Sequence, residues 1–409
     1  VANLMGMASG FGAPGWDFIA GVQPNIRNLD ESQRQTQDDW LWQNRESITD
    51  NVFLNRDVIQ DYTLSWDGKI TLEPIRDFRV DLDMNRSFTE NYSETFKNLD
   101  KNSAPGEGFD HAIPRNSGQL NMTYSALSTL FENDQGVVEL FKQFEDNRVI
   151  ISNRLGQGVH NDPNLADQGY AEGFGSLQQD VMIPAFMAAY TGRDARTVDL
   201  DVFNLRPHMN WRLTYNGLAK IPFFREIFSN FSLTHAYKGN LTISRYQTSN
   251  YFLRNVDPVA GTSLDTVDFN FYPRIEIPDL VIQEGFSPLI GIEATLQNGM
   301  SFTVDYSQTR NLALNSTSKL LSESRAKDIN IGFGYLMKGV DIPFLTGSKK
   351  KGRGRNTPDD GAGDELLPLG PEVHAAVRRR PGAGRLPDAA RAVVPSAAAP
   401  PRAAPRRPR

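Results

Sequence analysis

Apolar and polar residues alternate with a period of two along much of the chain. In residues 78–88, Phe78, Val80, Leu82 and Met84 alternate with charged or amide side chains. Successive side chains of a β-strand point to opposite faces, so this pattern predicts a strand with one apolar and one polar face. About ten such strands are predicted, many of them near ten residues long. The clearest further examples are residues 208–217, 230–247, 291–308 and 328–339.

Two short sequences predict where the chain reverses between strands. Asn298-Gly299 is a typical two-residue turn and predicts a hairpin between two alternating segments. Lys238-Gly239-Asn240 predicts a bend that divides residues 230–247 into two strands. Short polar turns between long strands indicate antiparallel pairing.

Two classes of β protein fit these strands. A soluble β-sheet protein also shows alternation, but its strands are mostly five or six residues long. An outer-membrane barrel has an apolar outer face, a wet interior and aromatic residues near the strand ends. Aromatic residues such as Trp66, Tyr215 and Tyr335 stand near the predicted strand ends. The pattern therefore favours a mainly β fold whose antiparallel strands form part of a barrel, and the soluble alternative stays open.

A small helical insertion interrupts the strands. Apolar residues at spacings of three and four predict a helix that ends at Gly156, and a second helix contains Pro184 and stops at Gly192. We expect this insertion at one rim of the barrel. The predicted regions are a loop-rich segment (1–60), barrel strands (61–130), the helical insertion (131–192), barrel strands (193–347) and a tail (348–409).

The composition changes abruptly at the tail. It consists largely of Arg, Ala and Pro, with roughly 14 basic and 6 acidic residues, whereas the whole chain has a net charge of −6. This composition predicts a disordered segment that forms no packed strand. A basic arm and a gene translated out of frame both account for it, and the second is favoured. We therefore predict no nucleic-acid partner.

The sequence contains no pattern typical of an enzyme or a metal site. The chain has no Cys, which excludes disulfides and thiolate chemistry. Its five His residues include no pair four positions apart, and HExxH and GxSxG are absent. We therefore predict that the protein is not an enzyme and that it has no catalytic, cofactor-binding or metal-ligating residues.

Residues 10–15, GFGAPG, match the GxGxxG pattern of nucleotide-binding proteins. No buried strand precedes them, and Pro14 removes a backbone N–H group that would face a phosphate. The alternative is a structural motif in which Gly10, Gly12, Pro14 and Gly15 shape a tight turn and Trp16 packs beside it.

Several long segments together resemble a known family. GFGAPGWDFIAGVQP, QDVMIPAFMAAYTG, NWRLTYNGLAKIPFFREIFSNFSLTHAYKG and FSPLIGIEATLQNGMSFTVDYSQTRNLALN occur in this order between residue 1 and about residue 350. They are similar to the C-terminal part of the SprA (Sov) family, the outer-membrane translocons of type IX secretion and gliding motility. The family continues in further strands where this chain has its tail.

The resemblance implies a very large single-chain barrel that passes folded proteins through a hydrated lumen. The implied location is the outer membrane, at the cell surface of a Gram-negative Bacteroidetes-like bacterium. The implied partners are the rest of the barrel chain, a PorV-type shuttle protein, a periplasmic plug protein, secreted cargo and the lipid bilayer. Asp81, Asp83, Glu293 and Asp305 become candidate lumen-facing residues. Two alternatives stay open: a soluble secreted β-rich module that binds carbohydrate or protein, and another outer-membrane receptor barrel.

Overall fold

A ten-stranded antiparallel sheet dominates the computed structural model, which confirms the mainly β fold class. The structure describes residues 15–20, 26–27, 44, 51, 53, 57–98, 109–156, 169–255, 264–265, 269–336 and 375–377. The strands are β1 (Val58–Ile75), β2 (Phe78–Asn98), β3 (Phe109–Thr123), β4 (Asn210–Tyr215), β5 (Phe228–Thr248), β6 (Ile275–Glu276), β7 (Asp279–Leu296), β8 (Met300–Asn315), β9 (Leu320–Tyr335) and β10 (Ala375–Val377).

The long strands follow one another across the sheet in the order β1-β2-β3-β5-β7-β8-β9-β10. The short strand β4 pairs with both β2 and β5, and β6 pairs with β5. The strands β2 and β5 each have 21 residues, about twice the predicted length. A strand of this length extends roughly 70 Å, at about 3.3 Å per residue.

The hairpin predicted at Asn298-Gly299 is confirmed. β7 ends at Leu296 and β8 begins at Met300. Gly299 adopts φ 87°, a left-handed conformation that glycine adopts without strain. The side chain of Asn298 accepts a hydrogen bond from the Met300 N–H group at 3.1 Å, which closes the turn.

The bend predicted at Lys238-Gly239-Asn240 is wrong, because β5 runs without interruption through these residues. Gly239 has a different reason to lack a side chain. A Cβ atom at this position would lie 2.2 Å from the carbonyl oxygen of Tyr124, whose N–H group donates to the Gly239 carbonyl at 3.1 Å. The glycine therefore permits a close backbone approach in the middle of a strand.

Both predicted helices of the insertion form. The helices are α1 (Trp16–Ile19), α2 (Asp134–Leu155), α3 (Gln179–Thr191), α4 (Pro222–Ile227) and α5 (Asn250–Asn255). The Asn133 side chain caps α2 by accepting from the Gly136 N–H group at 2.9 Å. Gly192 ends α3 at φ 66°, as predicted.

The helical insertion lies on a face of the sheet and shares its core. Residues Val181–Tyr190 of α3 are almost entirely buried, and they pack with Met122, Leu241, Ile282 and Leu312 from four neighbouring strands. Such a helix, apolar around its circumference, is expected inside a core. The outer helix α2 contributes Leu140, Phe144 and Ile151 to the same cluster. We call α2 and α3 the helical layer.

The sheet is open among the described residues, because its strand order ends at β1 on one side and at β10 on the other. The three residues of β10 pair with Ile329–Ile331 of β9. The prediction that the tail contributes no strand is therefore wrong for Ala375–Val377. The edge of β9 presents unpaired N–H and C=O groups, which a short segment such as Ala-Ala-Val can satisfy. Most of the tail lies outside the described residues.

Candidate functional site

The four candidate lumen-facing carboxylates lie on one face of the sheet, which we call the polar face. In the strand register Asp81 stands opposite Arg212, and Arg212 stands opposite Ala236. Glu293 pairs with Ser232, and Asp305 pairs with Gly291, which pairs with Thr234. Residues 232, 234 and 236 alternate along β5, so these carboxylates share a face. Asp83 lies two residues from Asp81 on β2, so its side chain is on the same face.

The carboxylates are spread over this face and do not form a cluster. Asp81 and Asp83 lie on β2, whereas Glu293 lies on β7, with β4 and β5 between these strands. At about 4.8 Å between adjacent strands, roughly 14 Å separates the two groups. Acid–base catalysis by a carboxylate pair needs a much shorter separation. The two groups are therefore too far apart to act together as one catalytic pair.

Polar and cationic partners surround the first two carboxylates. Asp81 accepts from Arg79 Nε at 2.8 Å and from Thr71 Oγ1 at 2.6 Å. Asp83 accepts from Asn210 Nδ2 at 3.1 Å, and Lys69 stands opposite it on β1. The polar face is therefore mixed in charge rather than uniformly acidic.

The other two carboxylates differ from each other in exposure. Glu293 is exposed, and Asp305 is half-buried beside Gly291. A Cβ atom at Gly291 would lie 2.7 Å from Asp305 Oδ1, so the glycine leaves room for this carboxylate on the sheet surface.

The opposite face of the sheet is mainly apolar, and the helical layer covers one part of it. The covered part contains Met122, Leu241, Ile282 and Leu312, which are fully buried. Farther along the same face the apolar side chains are exposed, and we call these residues the apolar belt. Its exposed members are Ile70, Leu72, Ile290, Val304, Ile329, Ile331, Phe333 and Tyr335.

The belt has a height typical of a membrane-facing band. On β9 it extends from Ile329 to Tyr335, six residue steps or about 20 Å. The apolar band of outer-membrane barrels is about 25 Å tall. Contiguous exposed apolar surface is rare on soluble proteins and marks an interaction surface.

A buried charged network joins the sheet to residues 126–129, which lie between β3 and α2, and the sequence analysis did not predict it. The side chains of Arg310 and Glu284 are both fully buried and form an ion pair. Arg310 also donates to the carbonyl groups of Thr129 and Ala126, each at 2.8 Å. The second carboxylate oxygen of Glu284 accepts from the Ala126 N–H group at 2.9 Å and from the Tyr237 hydroxyl.

The alternation pattern of the sequence contains a sign of this buried ion pair. Glu284 follows Leu280 and Ile282 at alternate positions of β7, where an apolar residue continues the pattern. Arg310 interrupts β8 in the same way before Leu312 and Leu314. Two opposite charges at apolar positions of neighbouring strands indicate a buried pair, because a single buried charge is costly.

The glycine-rich motif is described only at its end. Gly10, Gly12 and Pro14 lie outside the described residues. Gly15 adopts φ 90°, as a turn glycine does. Trp16 is 84% exposed; because most of the turn lies outside the described residues, its packing beside the turn stays a prediction.

The described part of the chain lacks two kinds of feature. It contains no group of three or more His, Cys, Asp or Glu residues placed to hold a metal ion. It also contains no helix long and apolar enough to cross a bilayer.

No protein-family model matches the chain, and no curated protein matches it.

Proposed function

We propose that this chain is part of the wall of an outer-membrane protein-conducting translocon similar to the SprA family. In this proposal the polar face lines a hydrated lumen and the apolar belt contacts lipid. Folded cargo passes along the polar face, and no covalent chemistry is involved. Asp81, Asp83, Glu293 and Asp305 hydrate this wall and give cargo few apolar contacts.

The observation that carries the proposal is the contrast between the two faces where no helix covers the sheet. Adjacent residues of β8 illustrate it: Val304 belongs to the apolar belt, whereas Thr303 and Asp305 lie on the polar face. A soluble two-layer protein would bury this apolar surface. A barrel wall leaves it exposed to lipid.

The open edges of the described sheet indicate that further strands would be needed to close a barrel. A barrel has no free edges, and β1 has β2 as its sole strand partner among the described residues. We propose that the rest of the barrel chain pairs with the two edges. A PorV-type shuttle protein and a periplasmic plug protein remain partners implied by the resemblance.

Substitutions on the two faces of β8 test the membrane assignment. Val304→Arg places a charge on the apolar belt, where it costs about 2–4 kcal/mol if the site lies at the bilayer midplane. Thr303→Arg is the matched control, because the neighbouring side chain is exposed on the polar face. The measurement is the fraction of protein that floats with lipid vesicles on a density gradient.

We expect Val304→Arg to reduce flotation strongly and Thr303→Arg to leave it unchanged. Equal effects of the two substitutions would contradict the assignment of the faces. A chain that stays soluble without detergent and never floats would support the soluble binding module instead.

A second experiment concerns closure of the pore. Because the described sheet is open, we expect the isolated chain to give no discrete conductance steps in planar bilayers. Stable unitary steps from the isolated chain would show that it closes a pore by itself.

A further inference from the structure

A groove of about 990 Å³ lies where the helical layer meets the apolar belt. Phe131, Glu132, Asn133 and Asp134 form one wall, at the start of α2. The opposite side consists of residues from the last two long strands: Tyr306 and Gln308 of β8, and Arg325, Lys327, Ile329 and Ile331 of β9. This volume lies at the upper end of the range of small-molecule sites.

The groove changes from apolar to charged along the strands. Tyr306 stands opposite Ile329, and one step farther along the same face Gln308 stands opposite Lys327. The next step pairs Arg310 with Arg325. Ile329 and Ile331 belong to the apolar belt, so the cationic side chains begin directly where the belt ends. This order matches the change from acyl chains to headgroups at a membrane interface.

Arg325 is held in the groove with one nitrogen atom unused. Its Nε atom donates to Glu323 Oε1 at 2.5 Å, and its Nη1 atom donates to the Glu132 carbonyl oxygen. Its Nη2 atom is buried and has no hydrogen-bond acceptor among the described residues. Because this nitrogen atom is buried, a ligand in the groove does not reach it, and Arg325 contributes the positive charge of its guanidinium to the groove rather than a hydrogen bond. Lys327 beside it is exposed.

The groove also carries negative charge. Glu132 and Asp134 are exposed on the wall that faces the two cations. A simple anion such as free phosphate would meet the cations but would also meet these carboxylates. A ligand with a phosphate and an ammonium group complements both pairs of charges.

We propose that the groove binds one phospholipid with a phosphoethanolamine headgroup. The phosphate accepts from Lys327 and lies near the Arg325 guanidinium, the ammonium group donates to Glu132 and Asp134, and the acyl chains lie along Ile329 and Ile331. This inference rests on the proposed function, since it requires the apolar belt to face lipid. It adds a specific lipid site at one edge of the wall.

The charges and hydrogen-bond donors of the headgroup distinguish phosphoethanolamine from the headgroups of other phospholipids. Phosphatidylcholine has a quaternary ammonium group that donates no N–H hydrogen bond to a carboxylate. Phosphatidylglycerol has no cationic group, so Glu132 and Asp134 repel it. We therefore expect phosphatidylethanolamine to bind about tenfold more tightly than either, as one charge-assisted hydrogen bond allows.

Native mass spectrometry of the detergent-purified full chain tests the site. The chain is titrated separately with the dioleoyl forms of the three lipids and with free phosphoethanolamine. We expect one phosphatidylethanolamine molecule to be retained, and free phosphoethanolamine to bind far more weakly because it has no acyl chains. Preferential retention of phosphatidylglycerol, or equal retention of all three lipids, would overturn the proposal.

Substitutions in the groove test whether the lipid binds there. Lys327→Ala is expected to weaken phosphatidylethanolamine binding about tenfold, whereas Lys69→Ala, an exposed strand lysine on the polar face, is the matched control. Glu132→Gln with Asp134→Asn is expected to reduce the preference over phosphatidylcholine. Identical lipid binding by the Lys327 and Lys69 variants would overturn the site.

Vesicle flotation separates this inference from the proposed function. If the chain floats with vesicles but retains no phosphatidylethanolamine, the groove site fails and the wall proposal stands. If the chain does not float at all, the proposed function fails and the lipid site fails with it.

Discussion

Two parts of the same sheet face have similar apolar patterns and different surroundings. The covered part lies beneath the helical layer, and its side chains are fully buried. The apolar belt continues the face along the same strands, and its side chains remain exposed. Ile282 and Ile290 of β7 show the difference directly: the first is 0% exposed and the second is 57% exposed. Alternation along a strand thus reports which face a residue is on, and it does not report what covers that face.

The largest expected effect comes from breaking the buried ion pair beneath the helical layer. Glu284→Ala removes the carboxylate that hydrogen-bonds the buried Arg310 guanidinium and leaves only Glu323, 3.9 Å away, as an ion-pair partner among the described residues. It is expected to cost about 3–5 kcal/mol in the free energy of unfolding. The measurement is denaturant unfolding in a mild detergent.

Replacing both partners is the informative control. Glu284→Leu combined with Arg310→Met removes the two charges together and is expected to cost less than Glu284→Ala alone. A double variant less stable than the single variant would show that the charges themselves hold residues 126–129 against the sheet.

The second prediction compares the two isoleucines on one strand. Ile282→Ala opens a cavity in the covered part and is expected to cost about 2–5 kcal/mol. Ile290→Ala removes exposed surface and is expected to cost less than about 1 kcal/mol in detergent. Equal losses in denaturant unfolding would mean that another part of the chain buries the apolar belt.

The third prediction concerns pH at the junction between sheet and helical layer. His208 stacks on Tyr124 at 4.4 Å between ring centroids, and its Nδ1 atom accepts from the Ser125 N–H group at 3.2 Å. Burial, together with the nearby Arg193 guanidinium, lowers the pKa of His208 below its usual value. The folded state therefore favours the neutral ring.

In the unfolded chain the pKa of a histidine is about 6.5, and above that pH the ring is neutral in both states. As the pH falls below about 6.5, the unfolded state binds a proton more readily than the folded state does, so the free energy of unfolding decreases until the pH has passed the lowered pKa of the folded state. We expect His208→Asn to lose less stability between pH 7 and pH 5 than the wild type does, measured by thermal unfolding. Parallel pH profiles for the two proteins would contradict this assignment.

The smallest expected effect is at a surface ion pair at the belt end of the sheet. Lys220 Nζ lies 2.6 Å from Asp77 Oδ1, and the lysine side chain is 68% exposed. Lys220→Ala is expected to change the free energy of unfolding by under 1 kcal/mol, and salt should reduce the effect further. A larger, salt-independent loss would indicate a packing role for the lysine stem.

Local signals predicted the elements well where a residue acts within its own segment. Asn298-Gly299 specified a hairpin, and Gly192 specified the end of α3, because a left-handed backbone conformation is a property of the residue itself. Gly239 misled the prediction for a physical reason. A glycine that permits a neighbouring backbone to approach has the same sequence signal as a glycine in a turn.

The candidate site was predicted in part. The shared face of Asp81, Asp83, Glu293 and Asp305 follows from alternation once the strands are paired. Their separation across the sheet depends on strand order, which alternation leaves undetermined. The groove at Lys327 depends on the meeting of α2 with β9, two segments nearly 200 residues apart in the chain.

The sequence by itself determined the strand faces, the principal hairpin and the ends of the main helices, because these depend on residues a few positions apart. The tertiary structure alone decided which part of the apolar face the helical layer covers and where the chain joins Arg310 to Glu284. It also decided that β1 and β9 lie near the two edges of the sheet that the described residues form. Burial depends on contacts between segments distant in sequence, and no local pattern records which of them meet.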